Sequence, residues 1–321
     1  MQDGSLTKKN TKYQEAIENN CYDRGIQGGE SMGWIVGMQR AINYVEEHLK
    51  ERLDYEEIAK QADCSSYYFQ KIFGILCDMS LGEYIRNRRL SLAGSELVGT
   101  DKKVIDIALE YGYESPESFT RAFVKFHGVT PTQARTGEAG LKIFSRIHVE
   151  ITMKGGNLME NYKIVEKEAF KVLEKVETHS ISREANKNTI PDFWGRAHKD
   201  GTVETLIKQT DDRTFIYGIC YGNTLEDSQT FEYAIAAKYT QGAEIPEGFR
   251  VNEIPARTWL VFDCTGPMPQ AIQETFHRII TEFFPSSEYE PTFEFDIEAY
   301  PAGPMTTADY KSQVWIPIKN A

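Results

Sequence analysis

The spacing of apolar residues divides the chain into two unlike parts. Between Trp34 and about Arg135, apolar side chains recur every three or four positions, which predicts helices. From Tyr162 onward the apolar positions mostly alternate with polar ones, as in strands, apart from helical stretches at about 190–206 and 268–284. The pattern therefore predicts an all-α domain followed by an α+β domain.

Two shorter stretches accompany these parts. The first is polar and interrupted by Asn and Gly pairs, so we expect a flexible N-terminal extension. The second contains several glycines, and its alternating Ile147 and Val149 predict a strand within a linker. The predicted segments are an extension (1–31), a helical domain (32–136), a linker (137–158) and a strand-rich domain (159–321).

The helical part contains two similar units. One is IAKQADCSSYYFQKIF, residues 58–73, and the other is IALEYGYESPESFTRAF, residues 107–123. Ser65 and Ser115 suit the N-caps of the second helices, so each unit is predicted to be a helix, a tight turn and a helix. A capping box at 80–83 predicts the helix that joins the two units.

The region from 34 to 135 resembles the AraC/XylS family of bacterial transcription regulators. The resemblance rests on YIRNRRL (84–90) and DIALEYGYESPESFTRAFVKFHGVTP (106–131), together with the tandem units. It implies a sequence-specific activator that binds double-stranded promoter DNA and contacts RNA polymerase. The base-contacting positions that it implies are Tyr67, Gln70 and Lys71 in the first unit and Glu117, Ser118 and Arg121 in the second. Gln suits adenine, and Lys or Arg suits guanine, which agrees with these assignments.

Four basic residues are candidates for neutralising DNA phosphates. They are Arg86, Arg88, Arg89 and Lys125. For each arginine of the 86–89 cluster, an ordinary solvated helix face is an equally good interpretation. Both interpretations stay open at the level of the sequence.

The strand-rich part also repeats itself. YKIVEKEAFKVLEKVET (162–178) parallels FRVNEIPARTWLVFDCT (249–265), and RTFIYGICYG (213–222) parallels PTFEFDIEAYP (291–301). A predicted helix separates the two members of each half. We therefore expect an α+β domain made of two strand–helix–strand–strand halves related by a pseudo-twofold axis.

Three acidic residues share one face of a predicted strand near the carboxyl end. In EFDIEAYP (294–301), Glu294, Asp296 and Glu298 alternate with mostly apolar residues. The equivalent strand at 213–222 is apolar on both faces, which indicates that both faces are covered. Glu298 is therefore predicted to be sheltered, whereas Glu294 and Asp296, nearer the strand start, are predicted to be solvated. A sheltered carboxylate indicates a ligand, an ordered partner or a raised pKa.

Residues 159–320 resemble the GyrI-like family of small-molecule-binding domains. The resemblance rests on IPDFW (190–194), EIPARTW (253–259), DIEAY (296–300) and VWIPIK (314–319). It implies an aromatic-lined site for a small lipophilic, cationic or aromatic effector, as in multidrug binding, with Glu298 as the group that meets the ligand. The other ligand candidates are Trp194, Tyr233, Trp315, Trp259 and Gln313, the last standing where the family often has a second acid. Core packing is the alternative for each aromatic residue.

Composition excludes several other classes of protein. The net charge of −12 argues against a generic nucleic-acid coat, and the excess acid lies mainly in the C-terminal half. The cysteines and histidines are scattered, so no disulfide framework, metal site or cofactor is predicted. No apolar run reaches the roughly 18 residues of a membrane span and no signal-peptide pattern is present, so we expect a cytoplasmic protein without a membrane partner.

Two alternatives remain beside a DNA-binding regulator that responds to an effector. Glu298 would serve as the acid–base group of a hydrolase of reactive small molecules if its pKa were suitable, a role that the GyrI-like resemblance also allows. No Ser-His-Asp or Cys-His pattern accompanies it, so an enzyme is not the expectation. The acidic C-terminal half would also suit a protein-interaction module.

Overall fold

A computed structural model describes residues 33–137, 140–149, 162–181, 183–222 and 230–319, without the side chains of 183–188. The predictions made for residues 1–31 lie outside these ranges. Within them the chain forms helices followed by a sheet with accompanying helices, which confirms the predicted all-α and α+β order. No helix in the described ranges is long and apolar enough to cross a membrane.

Both predicted helix–turn–helix units are formed. The helices of the first half are α1 (Gly33–Glu47), α2 (Tyr55–Lys60), α3 (Ser66–Cys77), α4 (Leu81–Gly99), α5 (Val104–Glu110), α6 (Pro116–His127) and α7 (Pro131–Arg135). The first unit consists of α2 and α3, the second of α5 and α6, and α4 joins them. The recognition helices α3 and α6 start where their N-caps predict. The Ser65 hydroxyl accepts the Tyr68 N–H at 3.2 Å, and the Ser115 hydroxyl accepts the Ser118 N–H at 3.1 Å.

An antiparallel sheet forms the second half. Its strands are β1 (Tyr162–Lys167), β2 (Phe170–Ser180), β3 (Ile216–Tyr221), β4 (Thr230–Lys238), β5 (Arg250–Ile254), β6 (Arg257–Thr265), β7 (Phe295–Tyr300) and β8 (Lys311–Ile318). Their order across the sheet is β1-β6-β8-β7-β3-β4-β2-β5. The helices between them are α8 (Arg183–Lys199), α9 (Thr202–Lys208) and α10 (Gln270–Arg278), the last continued by a π-helical turn (Ile279–Phe283) and a short α-helical turn (Phe284–Ser286).

Each half of the sheet domain contains one strand more than predicted. The stretch 162–178 is split at residues 168–169, because β1 pairs with β6 whereas β2 pairs with β4 and β5. If β1, β2, β3 and β4 exchange labels with β5, β6, β7 and β8, respectively, the result is the same strand order read from the opposite edge of the sheet. Two related halves would give this order, and the pseudo-twofold duplication itself stays a prediction.

The two recognition helices belong to different hydrophobic clusters. Phe119 and Phe123 of α6 pack with α4, α5 and α7 in a cluster of the helical half. Phe69 and Phe73 of α3 instead join a cluster that continues into one face of the sheet. The opposite face of the sheet holds a third cluster, around Trp259. The first recognition helix is thereby attached to the sheet domain, whereas the second packs within its own half.

The connector at 140–149 does not form the strand predicted there. Its backbone N–H groups are bound by side chains of the helical half instead of by a neighbouring strand. Val149 donates to Gln39 Oε1 at 2.8 Å, and Ile147 donates to the Tyr84 hydroxyl at 3.2 Å. The connector thus lies along the helical half, and the rest of the predicted strand lies outside the described ranges.

Candidate functional site

The second recognition helix, α6, presents its predicted DNA contacts to solvent. Glu117, Arg121 and Lys125 are exposed, and they follow one another at intervals of about one helical turn. Ser118 is half-buried, and its hydroxyl donates to the Ser115 carbonyl at 2.8 Å within the cap. An exposed row of one acidic and two basic side chains has the chemistry needed for contacts in a major groove.

The first recognition helix, α3, turns the corresponding side toward the sheet domain. The centre of the Tyr67 ring lies 4.5 Å from that of Phe231, and Tyr67 is buried. The Lys71 ammonium donates to Asp296 Oδ2 at 2.8 Å, across the boundary between the two halves. Gln70, between them in sequence, is half-buried. In this arrangement Tyr67 and Lys71 are therefore not accessible to DNA bases.

The three arginines of α4 have different surroundings. Arg86 is exposed. Arg88 donates to both carboxylate oxygens of Glu46, at 2.8 and 2.6 Å. Arg89 donates at 2.7 Å to each of two backbone carbonyls that follow α1. Arg88 and Arg89 thus hold the helical half together, which corrects both the prediction of phosphate contacts and the alternative of a solvated face for these two residues.

Three of the predicted ligand residues meet on one face of the sheet. Glu298 lies on β7 and is half-buried. Its Oε2 accepts hydrogen bonds from the hydroxyls of Tyr233, at 2.8 Å, and Tyr300, at 2.9 Å. The indole N–H of Trp194, on α8, donates in turn to the Tyr233 hydroxyl at 2.9 Å. Glu298, Tyr233, Trp194 and Tyr300 therefore form one hydrogen-bonded group, called the Glu298 group below.

A glycine makes room for this group. Gly218 of β3 lies opposite Glu298 in the pairing of β3 with β7. A Cβ there would come 2.1 Å from the Tyr233 oxygen and 2.9 Å from Glu298 Oε2. Any larger residue would therefore displace the tyrosine from the carboxylate. Sequence reasoning missed Gly218, although a glycine inside an otherwise apolar strand signals such a close approach.

The ionisation of Glu298 is disfavoured by its surroundings. Burial raises the pKa of Glu298 above its ordinary value, and repulsion from Asp296 raises it further. The hydrogen bond from Tyr233, the positive charge of Lys71 and the hydrogen bond from Tyr300 oppose this rise without cancelling it. An added positive charge near Glu298 would favour the ionised form.

Asp296, predicted to be solvated, is instead buried, with 1% of its surface exposed. Its Oδ2 accepts hydrogen bonds from the Tyr68 hydroxyl, at 2.5 Å, and from the Lys71 ammonium, at 2.8 Å. Its Oδ1 has no hydrogen-bond partner among the described residues. The prediction failed because the cover comes from α3, in the other half of the chain, which strand periodicity does not reveal.

The ammonium of Lys71 lies in an aromatic cage. It is 4.1 Å from the centre of the Phe276 ring and 5.6 Å from the centres of the Tyr67 and Tyr68 rings. Burial opposes the charged form most strongly, but attraction to Asp296 and other nearby groups outweighs it, so the pKa of Lys71 is raised. The space left beside it is a cavity of ≈ 10 Å³, about enough for one water molecule.

The remaining three ligand candidates lie on the opposite face of the sheet. Trp315 of β8 pairs with Ile297, whose side chain points away from that of Glu298. The Trp315 and Trp259 ring centres are 6.0 Å apart, and the Trp315 indole N–H donates to Gln313 at 2.9 Å. Trp315, Trp259 and Gln313 therefore do not join Glu298, which corrects their assignment to the ligand site. The two tryptophans are core residues, as the alternative interpretation had it.

Known proteins match both halves of the chain. Residues 58–137 match a family model described as a helix-turn-helix domain, and residues 163–318 match that of the integron-associated effector binding protein Cass2. The regulatory protein SoxS of Salmonella typhimurium is 38% identical over 98 residues, which are 30% of this chain and 92% of SoxS. The chain belongs to the AraC-type family of transcription regulators.

Two other relatives of this AraC-type regulator are similar to part of the chain. The transcriptional activator AarP of Providencia stuartii is 32% identical over 136 residues, 42% of this chain and 86% of AarP. The transcriptional regulator YbfP of Bacillus subtilis is 42% identical over 99 residues, which are 31% of this chain and 34% of YbfP. The regulator thus joins a DNA-binding helix-turn-helix half to a GyrI-like effector-binding half.

Solved structures resemble the sheet half of the regulator. SAV2435 bound to tetraphenylphosphonium has a TM-score of 0.44 at 22% identity, covering 50% of this chain and 94% of that one. An integron cassette protein of Vibrio cholerae has a TM-score of 0.38 at 18% identity, covering 50% of this chain and 97% of that one. At these scores the similarity carries no argument about function.

Proposed function

We propose that this AraC-type regulator activates transcription when an organic cation binds beside Glu298. In this proposal both recognition helices contact promoter DNA, and the DNA-bound regulator contacts RNA polymerase. The observation that carries it is the Glu298 group, a carboxylate with tyrosine and tryptophan neighbours in the half of the chain that matches an effector-binding family. The cation and DNA parts of the proposal are tested separately.

The composition of the Glu298 group favours a lipophilic cation with delocalised charge. Tyr233, Tyr300 and Trp194 supply aromatic rings, whose quadrupoles attract a cation. Glu298 supplies negative charge in sheltered surroundings, where its attraction to a bound cation is screened less than in water. A neutral ligand of the same shape lacks this second contribution.

The cation part is tested by calorimetric titration with tetraphenylphosphonium and with neutral triphenylphosphine oxide. Glu298→Gln should weaken binding of the cation at least about tenfold while changing the neutral compound little, because a sheltered charge pair is lost. Glu294→Gln is the matched control, since Glu294 lies on the same segment but pairs with Arg257 at 3.0 Å. Equal losses for the two compounds in Glu298→Gln would rule out a cation site there.

The DNA part depends on the equivalent positions of α3 and α6. Two recognition helices joined by α4 suit contacts with successive major grooves by a single chain. In α6, Arg121 is the candidate for guanine, and Glu117 accepts from cytosine or favours the helix N-terminus. In α3, Lys71 is the candidate for guanine and Gln70 for adenine, with Tyr67 beside them.

Two variants of α6 separate base contacts from phosphate contacts. In a binding-site selection followed by anisotropy titrations, Arg121→Ala should lose about 1–3 kcal/mol of discrimination at one base position. Lys125→Ala should weaken all sequences alike and lower the slope of log K against log salt by about 1. If Arg121→Ala behaves like Lys125→Ala, Arg121 is a phosphate contact.

Catalysis is not part of the proposal. The matching relatives SoxS and AarP are a regulatory protein and a transcriptional activator. A hydrolase would require Glu298 to act as a general base on a bound electrophile. Turnover of an activated ester or an epoxide by the wild-type protein, abolished in Glu298→Gln, would replace the regulator-only proposal by one that includes hydrolysis.

A further inference from the structure

We propose that Asp296 and the ring of Phe276 form a second cation site, next to Glu298, which the ammonium of Lys71 occupies while α3 is docked. A soluble organic cation and the docked recognition helix then exclude each other, so that effector binding releases α3 to DNA. The inference rests on the proposed function, because it assumes that α3 contacts DNA and that an organic cation enters the sheet domain. It adds that such a cation displaces the Lys71 ammonium from Asp296.

The contacts of Lys71 are those that a soluble ammonium would make. Asp296 Oδ2 lies 2.8 Å from the Lys71 nitrogen, and the centre of the Phe276 ring lies 4.1 Å from it. The buried Oδ1 of Asp296 is unpartnered among the described residues, so the carboxylate has capacity for a further donor. A buried carboxylate without a positive partner is strongly unfavourable. Asp296 therefore requires either Lys71 or a substitute for it.

The docked helix leaves no room at this site for a second occupant of drug size. The cavity of ≈ 10 Å³ between α3 and the sheet domain is lined by Lys71, Phe276 and Asp296, among others. Sites for drug-sized ligands enclose roughly 300–1,000 Å³. A ligand of that size fits here only if α3 moves away, and the Tyr67 ring packed against Phe231 moves with it.

A glycine marks the docking surface and offers a way to disturb it. Gly222 directly follows β3, and a Cβ there would lie 2.7 Å from the Tyr68 ring and 3.0 Å from the Ser65 hydroxyl. Ser65 and Tyr68 are at the start of α3. Gly222 belongs neither to the Glu298 group nor to the predicted DNA contacts. Gly222→Ala therefore pushes the docked helix away without removing a binding group.

Docking hides from DNA the side of α3 that carries its predicted base contacts. Tyr67 is 6% exposed, and the side chain of Lys71 is 21% exposed. One equilibrium between docked and released α3 then governs both DNA binding and cation binding. Thermodynamic linkage requires that the cation raise DNA affinity by the same factor by which DNA raises cation affinity.

The first experiment refills the cage in Lys71→Ala. n-Propylammonium replaces the atoms that this substitution removes, and 1-propanol is its neutral counterpart. We expect n-propylammonium to raise the melting temperature of Lys71→Ala progressively with concentration, and 1-propanol to have no such effect. The double variant Lys71→Ala/Asp296→Asn should lose the response. Lys60→Ala, which removes an exposed lysine of the same unit, is the control and should not be stabilised by n-propylammonium.

The second experiment weakens docking without touching the cage. Gly222→Ala should bind tetraphenylphosphonium and promoter DNA each at least about tenfold more tightly than the wild type, since a tethered competitor acts at an effective concentration in the millimolar range. The mutual enhancement of the two ligands should shrink correspondingly. Gly99→Ala is the matched control and should behave as the wild type, because a Cβ at Gly99 meets no atom within 4 Å.

The outcomes distinguish this inference from the proposed function. A folded Lys71→Ala without an n-propylammonium response overturns the Asp296 site. Equal affinities of Gly222→Ala and the wild type for both ligands overturn docking as the control of access, while cation and DNA binding stand. If neither protein binds tetraphenylphosphonium or a selected DNA sequence, the proposed function fails, and the n-propylammonium response still decides the Asp296 site. If Lys71→Ala does not fold, the affinities of Gly222→Ala for the cation and for DNA alone decide whether docking of α3 controls access.

Discussion

The two helix–turn–helix units share a design but differ in their surroundings. Both recognition helices begin at a serine N-cap. The second, α6, packs within the helical half and leaves Arg121 and Lys125 exposed. The first, α3, packs against the sheet domain, where Lys71 pairs with Asp296. A duplicated motif therefore does not determine which of its faces is accessible, because the neighbouring domain decides.

The difference follows from two positions at the start of each recognition helix. Tyr67 and Tyr68 in α3 correspond to Glu117 and Ser118 in α6. Two aromatic rings give α3 an apolar surface, and the Tyr67 ring packs against Phe231 of the sheet domain. A carboxylate and a hydroxyl at the same places favour water. The side chains of one helical turn thus select the partner of each recognition helix.

The largest expected effect concerns the phenylalanine cores of the two units. Phe69→Ala and Phe119→Ala each remove a fully buried ring, which should lower the free energy of unfolding by about 3–5 kcal/mol. Urea denaturation followed by circular dichroism measures both losses. Phe69→Ala should also change the affinity for tetraphenylphosphonium, because α3 carries the docked surface, and Phe119→Ala should not. Equal changes in cation affinity would mean that both units are coupled alike to the sheet domain.

A smaller effect separates the internal arginine of α4 from its exposed neighbour. Arg88→Ala removes the cation that binds both carboxylate oxygens of Glu46, a side chain only 7% exposed, which should lower the free energy of unfolding by roughly 3 kcal/mol. Arg86→Ala should change stability by less than about 0.5 kcal/mol and lower the salt slope of DNA binding by about 0.9. Melting curves and salt titrations give these values. If Arg88→Ala instead lowers the salt slope and changes stability little, Arg88 contacts a DNA phosphate.

The smallest expected effect is the pH dependence of cation binding. It concerns the side of the sheet against which α3 packs; among the described residues, α6 does not reach this side. Because the pKa of Glu298 is raised, this carboxyl takes up a proton at a higher pH than an exposed glutamate does. Cation affinity should fall by up to about tenfold per pH unit below the raised pKa. Calorimetric titrations across pH measure this slope, and a slope that persists in Glu298→Gln would assign it to another group.

Several other ionisable groups face Glu298. They are Asp296 and Tyr300 on β7, Tyr233 on β4, Cys220 on β3, and Tyr67 and Lys71 on α3. The pKa values of the tyrosines, of the Cys220 thiol and of Lys71 are all raised. Since the folded pKa of Glu298 lies above its unfolded value, its contribution to stability is present below the unfolded pKa and is lost as the pH rises through the folded one. Tetraphenylphosphonium should therefore raise the melting temperature more at alkaline than at acidic pH.

The parts of the fold that the sequence predicted well depend on local signals. Helical periodicity and capping serines act within a few residues, so they placed α3 and α6 correctly. The sheltered position of Glu298 was also correct, because the apolar strand used to infer it, β3, pairs with β7. Trp194 and Tyr233 were found through their motifs and do join Glu298.

The errors concern contacts between parts of the chain that are distant in sequence. Asp296 is buried by α3, which belongs to the other half. Trp315 faces away from Glu298 because strand register, not the presence of a motif, decides the face. Arg88 pairs with Glu46 of another helix. Tertiary packing determines such partners, and no local pattern encodes them.

Gly218 and Gly222, within and just beyond β3, have opposite genetic consequences if docking of α3 controls DNA binding. A side chain at Gly218 separates Tyr233 from Glu298, which would give a regulator that no longer responds to its effector. A side chain at Gly222 displaces α3, which would give a regulator that is active without effector. A saturation mutagenesis screen with a reporter gene would thus recover unresponsive and constitutive alleles from codons a few positions apart.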